Sequence, residues 1–424
     1  MKHLDIELIH PPHPHSIEDR LDPPLGLLYI AANLEKAGYN VRVNDLSGIP
    51  EKDWKIGHAD IYGTTIYATT IKISEKIARI CKEQNPSAKI VAGGAHPTEM
   101  PEGVSPIFEV VGIGEGEEIM VDIANDYPNN KRFYQKELER DLDKYPNPAY
   151  HLVDLESYKR TLNGKPALTI LTSRGCPYRC SFCGLPDHHK KMKTRSPEKV
   201  EEEIRFLKKE YGMDKFVFQD DTFTVNRRRL YHMLDLFEPL NIGFRAHGRS
   251  GLDTYETYVK LKKAGCETVA WGIESGSQKM LDLMNKDTTV EKNLQVIEWA
   301  KKAGLISRAF FVLGHPGETK ETIEETKAFI ERADPDQFFV SNFVPYPGTD
   351  VWNNPEKYGI IKMNKDFTNY FQVDETGFGS RNIETRELSN GSFRKLEEDF
   401  RGWLKKREQR GELQAYEHKL KKIK

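Results

Sequence analysis

A chain of 424 residues exceeds one ordinary domain, and 38% hydrophobic residues supply material for two or three cores. Lys and Arg (63) nearly balance Asp and Glu (65), so a net charge of −2 leaves no electrostatic footprint for nucleic acid or an acidic partner. No apolar run approaches the roughly 18–20 residues of a membrane span, and the N-terminus reads as a charged strand rather than a signal peptide.

The first 125 residues alternate strands and helices. Leu4–Ile9 reads as a strand running into the stiff loop His10-Pro-Pro-His-Pro-His15. Pro24–Gly38 is an amphipathic helix ended by Gly38. Strands follow at Tyr39–Asn44 and Ala59–Tyr67, then a helix near Lys72–Gln84. Two more strands, Lys89–Ala92 and Glu109–Gly112, run into Gly93-Gly-Ala-His-Pro-Thr98 and Gly114-Glu-Gly-Glu117. This pattern predicts a doubly wound, mostly parallel sheet with polar residues and glycines at its C-terminal edge. There is no G-x-G-x-x-G after the first strand, which argues against a dinucleotide site. The late glycines either admit a ligand to the backbone or merely form tight turns.

Residues 126–165 read as a linker, broken at Tyr145-Pro-Asn-Pro-Ala149. From Ala167 the alternation resumes with new spacing. Strands are expected at Ala167–Leu171, Lys215–Phe218, Ile242–Ala246, Thr268–Ile273, Ser307–Leu313 and Gln337–Ser341. Ser196 and Asn226 are the expected caps of intervening helices, with proline following Ser196. Six such units in order predict an open, incomplete (β/α) barrel. The tail from Leu388 reads as a charged, solvated helix, whereas Phe367, Tyr370 and Phe371 suit either a pocket wall or a core.

Three of the five cysteines, Cys176, Cys180 and Cys183, form C-x3-C-x2-C just past the first barrel strand. Thiolates converging there point to an iron–sulfur cluster with three protein ligands, leaving one iron of a cubane free. So few cysteines, in a chain read as cytoplasmic, disfavour a disulfide. Zinc needs a fourth ligand; His188 or His189 is near enough in sequence, so the loop alone leaves zinc open. Other strand ends add Asp220, Asp221, Arg249, Glu274, Ser275 and Gly314 to the same rim. Carboxylates there suit the ammonium and hydroxyls of a zwitterionic, sugar-bearing ligand, and Arg249 its carboxylate. Helix capping by the aspartates and a structural ion pair for Arg249 are the alternatives.

The cysteine loop, with Phe182 before its last cysteine, resembles the radical S-adenosylmethionine (SAM) superfamily. Phe218-Gln-Asp-Asp-Thr-Phe-Thr224, Gly272-Ile-Glu-Ser-Gly276, Gly314-His-Pro-Gly-Glu-Thr319 and Pro345-Tyr-Pro-Gly-Thr349 resemble its subfamily with an N-terminal cobalamin-binding domain. That domain is echoed in Pro23–Ala32, Gly93–Thr98 and Gly114–Glu117. The resemblance implies a [4Fe–4S] cluster on Cys176, Cys180 and Cys183, whose fourth iron chelates SAM. It implies reductive cleavage of SAM to a 5′-deoxyadenosyl radical that takes hydrogen from an unactivated carbon. Asp220 or Asp221 would meet the methionine ammonium, Glu274 and Ser275 the ribose and methionine portion. Phe182, Leu313 and Gly314 would flank adenine. Cobalamin would touch Leu25, Gly26, Thr64, Thr65, Gly93, Gly94, His96, Gly114, Glu115 and Gly116.

One departure bears on cobalamin. Domains that ligate cobalt through histidine carry D-x-H-x-x-G, but Asn44-Asp-Leu-Ser-Gly48 has serine in the histidine's place. The lower cobalt face is then water-bound or covered from the Thr64–Thr70 loop. His10, His13, His15 and His96 are read as contacts to phosphate or corrin amides, or as loop structure, with cobalt ligation by one of them as the alternative.

The expected organisation is a Rossmann-like cobalamin domain (1–130), a linker (131–165), a partial (β/α)6 radical SAM barrel (166–355) and a helical C-terminal region (356–424). The expected activity is methyl transfer from methylcobalamin to carbon or phosphorus. A cobalamin-using oxidative cyclase or ring-rearranging enzyme is the alternative; a non-catalytic metal-binding protein is a third. A small-molecule substrate and an electron donor of flavodoxin or ferredoxin type complete the expectation.

Overall fold

The computed structural model describes residues 4–185, 191–372 and 379–409. Its first unit is a six-stranded sheet built from β1 (Asp5–His10), α1 (Leu25–Lys36), β2 (Asn40–Asp45), β3 (Ile61–Thr65), α2 (Ile71–Gln84), β4 (Lys89–Gly93), β5 (Val110–Ile113), α3 (Gly116–Asp126) and β6 (Phe133–Gln135). Strand order is β2-β1-β3-β4-β5-β6, and every pairing is parallel. Helices cover both faces, so these strands are apolar on both sides. Leu27, Ala31 and Leu34 of α1 meet Ile119 and Ile123 of α3 on one face; Ile77 and Cys81 of α2 pack on the other. The order reverses between β1 and β3, and the crevice at their C-terminal ends is the switch point where such sheets take ligands. β6 lies in the stretch read from sequence as linker. Three residues are too few to display periodicity; pairing with β5 makes them a strand.

The second unit is a parallel sheet in simple chain order: β7 (Leu168–Ile170), α4 (Pro197–Tyr211), β8 (Lys215–Phe218), α5 (Arg227–Phe237), β9 (Gly243–Gly248), α6 (Tyr255–Lys263), β10 (Cys266–Glu274), α7 (Val290–Lys302), β11 (Ile306–Leu313), α8 (Lys320–Ala333) and β12 (Gln337–Asn342). Among the described residues β12 does not pair with β7, so the barrel is open along one side. The helix starts follow side-chain chemistry: Ser196 accepts the Lys199 N–H and Asn226 the Arg229 N–H. Phe216, Phe218, Phe237, Phe244 and Trp271 are fully buried between sheet and helices.

After β12 the chain forms an antiparallel ribbon, β13 (Ile360–Met363) with β14 (Ile383–Thr385), then α9 (Asn390–Gln409). The ribbon qualifies the expectation of a purely helical end. α9 also departs from a solvated helix: Phe393, Phe400 and Leu404 join the barrel core. Its high charge masks an apolar stripe, and residues beyond 409 lie outside the described part. No helix among the described residues is long and apolar enough to cross a membrane.

Candidate active site at the facing rims

The cysteine loop follows β7 and is pinned from several sides. The Ser181 N–H donates to the Met284 carbonyl, and the Ser181 carbonyl accepts the Val351 N–H. Asp220, buried just past β8, accepts the Thr172 N–H at 2.7 Å and both the Thr172 and Ser173 hydroxyls. Burial pushes its carboxyl up, while those donors oppose the shift. Asp220 is thereby consumed in anchoring the loop. Asp221 is exposed and accepts the Gly175 N–H at 3.0 Å. The structure thus separates two aspartates that sequence treats alike: one is an anchor, the other stands at the rim.

Cys176 and Cys180 are half-buried, and Cys183 is exposed. Cys176 Sγ lies 3.5 Å from Thr222 Oγ1, and Arg249 Nη1 lies 3.6 Å from Cys180 Sγ. The Arg249 guanidinium is also stacked 3.6 Å over Tyr178 and hydrogen-bonded to the Lys286 carbonyl. Among the described residues no three His, Cys, Asp or Glu side chains converge as ligands of a single ion do. Three soft donors on one loop beside a fixed cation suit an anionic iron–sulfur cluster, whose ligands are spread over separate irons. His188 and His189, raised as zinc ligands, lie outside the described residues.

Glu274 ends β10 in a left-handed conformation (φ 65°), which a non-glycine residue holds only under constraint. Its carboxylate, nearly buried, pairs with Lys286 at 2.6 Å. A side chain at Gly272 would collide with this pair, which explains that glycine in mid-strand. Lys286 also lies 5.9 Å over the Phe182 ring. Sequence reading missed Lys286, because nothing in its spacing marks it. Ser275 departs from its expected role: buried, it bonds Thr326 of α8 at 3.1 Å and accepts the Ser277 N–H. Leu313 belongs to the barrel core. Gly314 (φ 81°) is covered by Arg381 and Phe393, and Arg381 donates to its carbonyl at 2.8 Å. A surface open to adenine is therefore absent on the Cα side of Gly314.

On the first unit, the C-terminal strand ends gather Thr64, Thr65, Gly93, His96 and Gly114. Open space lies where side chains would stand at Gly26, Gly93 and Gly114. Gly94 and Gly116 differ, since a Cβ would meet Thr65 Oγ1 at 2.7 Å and Ile30 at 2.5 Å; these two make tight packing. Leu25 is half-buried against the barrel core. Thr64 Oγ1, Ser47 Oγ and the Nδ1 atoms of His10, His13 and His96 are buried without partners among the described residues. Burial holds all three imidazoles below the ordinary histidine range. Orphaned polar atoms beside open glycines fit a large amide-rich ligand such as cobalamin. His15 stacks on Phe371 at 4.3 Å and His96 meets Phe367 edge-on at 5.2 Å, so two of the three C-terminal aromatics wall this crevice. The third, Tyr370, is fully buried.

Glu115 is engaged by cations of the second unit. It pairs with Lys193 and lies 3.5 Å from Arg174, while Glu117 meets Arg174 at 2.5 Å. Arg174 precedes the first cluster-loop cysteine by two residues, so the β5–α3 loop is bolted to the cysteine loop. Beyond β12, Gly348 is in contact with Glu99, which follows β4. The two C-terminal rims therefore face each other.

Comparison with known proteins agrees with this arrangement. Residues 170–330 match the model of the radical SAM superfamily, and residues 22–124 that of the B12 binding domain. An uncharacterized methyltransferase of Pyrococcus horikoshii is 31% identical over 408 residues, 88% of each chain. The anaerobic magnesium-protoporphyrin IX monomethyl ester cyclase of Cereibacter sphaeroides is 28% identical over 372 residues, covering 78% of this chain and 60% of that one. In fold, the radical SAM methyltransferase TsrM of Kitasatospora setae, solved with cobalamin and a [4Fe–4S] cluster, superposes with a TM-score of 0.70 at 17% identity, covering 94% of this chain and 90% of that one. The chain belongs to the radical SAM superfamily. It is a radical SAM enzyme with a B12 binding domain, and its cofactors are those of the two matched domains: a [4Fe–4S] cluster, SAM and cobalamin.

Proposed function

We propose that the enzyme is a cobalamin-dependent methyltransferase acting on carbon or phosphorus of a small molecule. The observation that carries this reading is the Arg174 bridge to Glu115 and Glu117, which holds the cobalamin-domain rim against the cysteine-loop rim. A methyl carrier and a radical source must both reach one substrate atom, and facing rims meet that need. When bound, the cofactors supply the reductive cleavage of SAM and the methyl group; the protein supplies placement and dryness.

In this reading Cys176, Cys180 and Cys183 hold three irons and leave the fourth for SAM. Arg249 offsets thiolate charge at Cys180 and stands ready for the SAM carboxylate. Asp221 takes the methionine ammonium, and Glu274, fixed by Lys286, takes the ribose hydroxyls. Gly26, Gly93 and Gly114 admit cobalamin to the backbone, with Thr64 and His96 as polar contacts. The units are proposed to divide near residues 130, 165 and 355, with β6 belonging to the first. The electron is proposed to come from a flavodoxin- or ferredoxin-type donor in the cytoplasm.

The similarity to the cyclase favours a second reading, radical oxidation without methyl transfer. Anaerobic reconstitution with SAM and dithionite, followed by product analysis with candidate substrates, separates the two. Methylation yields both 5′-deoxyadenosine and S-adenosylhomocysteine. Turnover giving 5′-deoxyadenosine without S-adenosylhomocysteine would sink the methyltransferase reading.

A further inference from the structure

The barrel lumen carries charge that its described residues do not balance. On β9, Phe244 and Ala246 pack outward into the core, so the alternate residues Arg245 and His247 face inward. On β11, Ala309, Phe311 and Leu313 pack outward, and Arg308 and Phe310 face inward. His247 and Arg308 share a layer, each in register with Ala270 of β10. Arg160 approaches the same space beside Asp22 and Thr169.

Asp22, the carboxylate that acts on Arg245 among the described residues, is already committed. It accepts the Arg160 Nε–H at 2.8 Å and the Thr169 hydroxyl at 2.6 Å. Arg308 donates to Gln337 at 2.6 Å and lies 5.2 Å over Phe339, with no carboxylate partner among the described residues. Arg245 is 8% exposed, its Nε has no hydrogen-bond partner, and no described carboxylate pairs with it. Burial and repulsion from Arg308 and Arg160 push its guanidinium down to about 9, and His247 is driven down to about 4 and stays neutral. A buried guanidinium at Arg245 and a half-buried one at Arg308, neither with a carboxylate partner among the described residues, are a standing cost unless something else neutralises them. Among the described residues the edges of β7 and β12 are not paired with each other, so the sheet does not close around this lumen.

We propose that Arg245 and Arg308 bind an oxyanion of the substrate, a carboxylate or a phosphate, inside the barrel, so that the substrate of this enzyme is an anion. The inference rests on the radical SAM reading and adds the substrate class to it. The carboxylate of SAM is a poor candidate for this pair. It belongs with Arg249 at the rim, just past the end of β9, and Arg245 lies four residues earlier, within the strand and about 13 Å deeper. Arginine forks match both carboxylate and phosphate, so the geometry names the shared chemistry and experiment distinguishes the sources.

The test is thermal unfolding of the cluster- and cobalamin-loaded protein titrated with inorganic phosphate and, separately, with acetate, chloride holding ionic strength constant. Wild type should gain stability saturably with at least one oxyanion, and half-saturation should rise about tenfold or more in Arg245→Met. Saturation by phosphate alone assigns a phosphate group, and by acetate alone a carboxylate. Without oxyanion, Arg245→Met should unfold no lower than wild type, because the change removes a buried unpaired charge. No saturable effect of either oxyanion on wild type, an equal effect in Arg245→Met and Arg308→Met, or an Arg245→Met that unfolds well below wild type would each overturn the proposal. Dithionite-dependent SAM cleavage by wild type is read in parallel. Its loss would remove the radical SAM reading and leave the anion titration to be judged by itself.

Discussion

Arg174 Nη2 stands 2.5 Å from Glu117 Oε1, joining the residue two before the first cluster-loop cysteine to the first turn of a helix in the cobalamin-binding unit. The Glu117 side chain is 4% exposed and that of Arg174 15%, so the pair is largely withdrawn from water and screening is weak. A second carboxylate, Glu115, reaches the same arginine and Lys193.

Arg174→Ala leaves two buried carboxylates short of a partner. The expected cost is about 3–5 kcal/mol, the usual penalty for breaking a buried pair. Calorimetry should record a lowered unfolding temperature. Unchanged unfolding would mean that the bridge does not hold the units together.

Cys180→Ala should abolish cluster iron and sulfide, and with them reductive SAM cleavage. The first unit has its own core around Ile6, Leu27 and Ile119 and should keep its fold and bind cobalamin, seen by its visible spectrum. Full SAM cleavage by this variant would refute the three-cysteine ligand set.

Glu274→Gln keeps the backbone and strips the charge opposite Lys286. A buried ammonium without its carboxylate and a lost acceptor for ribose act together, so SAM affinity should fall about tenfold or more. Equilibrium dialysis on the cluster-loaded protein measures this; wild-type affinity would remove Glu274 from the SAM site.

No histidine is expected beneath cobalt. Ser47 occupies the sequence position where a ligating histidine would stand, and Tyr67, 44% exposed just past β3, is the side chain of the Thr64–Thr70 loop proposed to cover the lower face. Electron paramagnetic resonance of the cob(II)alamin form should lack nitrogen superhyperfine structure. A nitrogen pattern would contradict this, while Tyr67→Ala should alter the wild-type spectrum.

Burial pushes the Glu318 carboxyl up to about 7 from 4.5, against the pull of the Gly314 N–H and of Arg381. The folded protein therefore keeps a proton that the unfolded chain releases between those values. The stabilisation is complete below about 4.5 and is lost as pH rises through about 7, worth on the order of 3 kcal/mol. Glu318→Gln should flatten that part of the stability–pH curve in urea titrations. An unchanged slope between pH 5 and pH 8, taken as a rough working window, would assign the dependence elsewhere.

The architecture was legible because its signals are local. Short apolar runs bounded by turn residues marked the strands, and Ser196-Pro197 and Asn226 marked helix starts that form as expected. The cysteine spacing marked the cluster loop. Where sequence fell short, the controlling partner was distant. Thr172 saturates Asp220 from 48 positions away, Arg174 claims Glu117 across 57, and Thr326 turns Ser275 inward across 51.

By itself the sequence determined the alternation of elements, the open barrel and the identity of the cluster loop, because backbone propensity and ligand spacing act within a few residues. The tertiary structure alone decided which of two adjacent aspartates reaches the rim, which glycines are open, that Lys286 partners Glu274, and that Arg245 has no carboxylate partner among the described residues. Each of those outcomes depends on where a buried charge finds its complement, and that is set by packing across the fold.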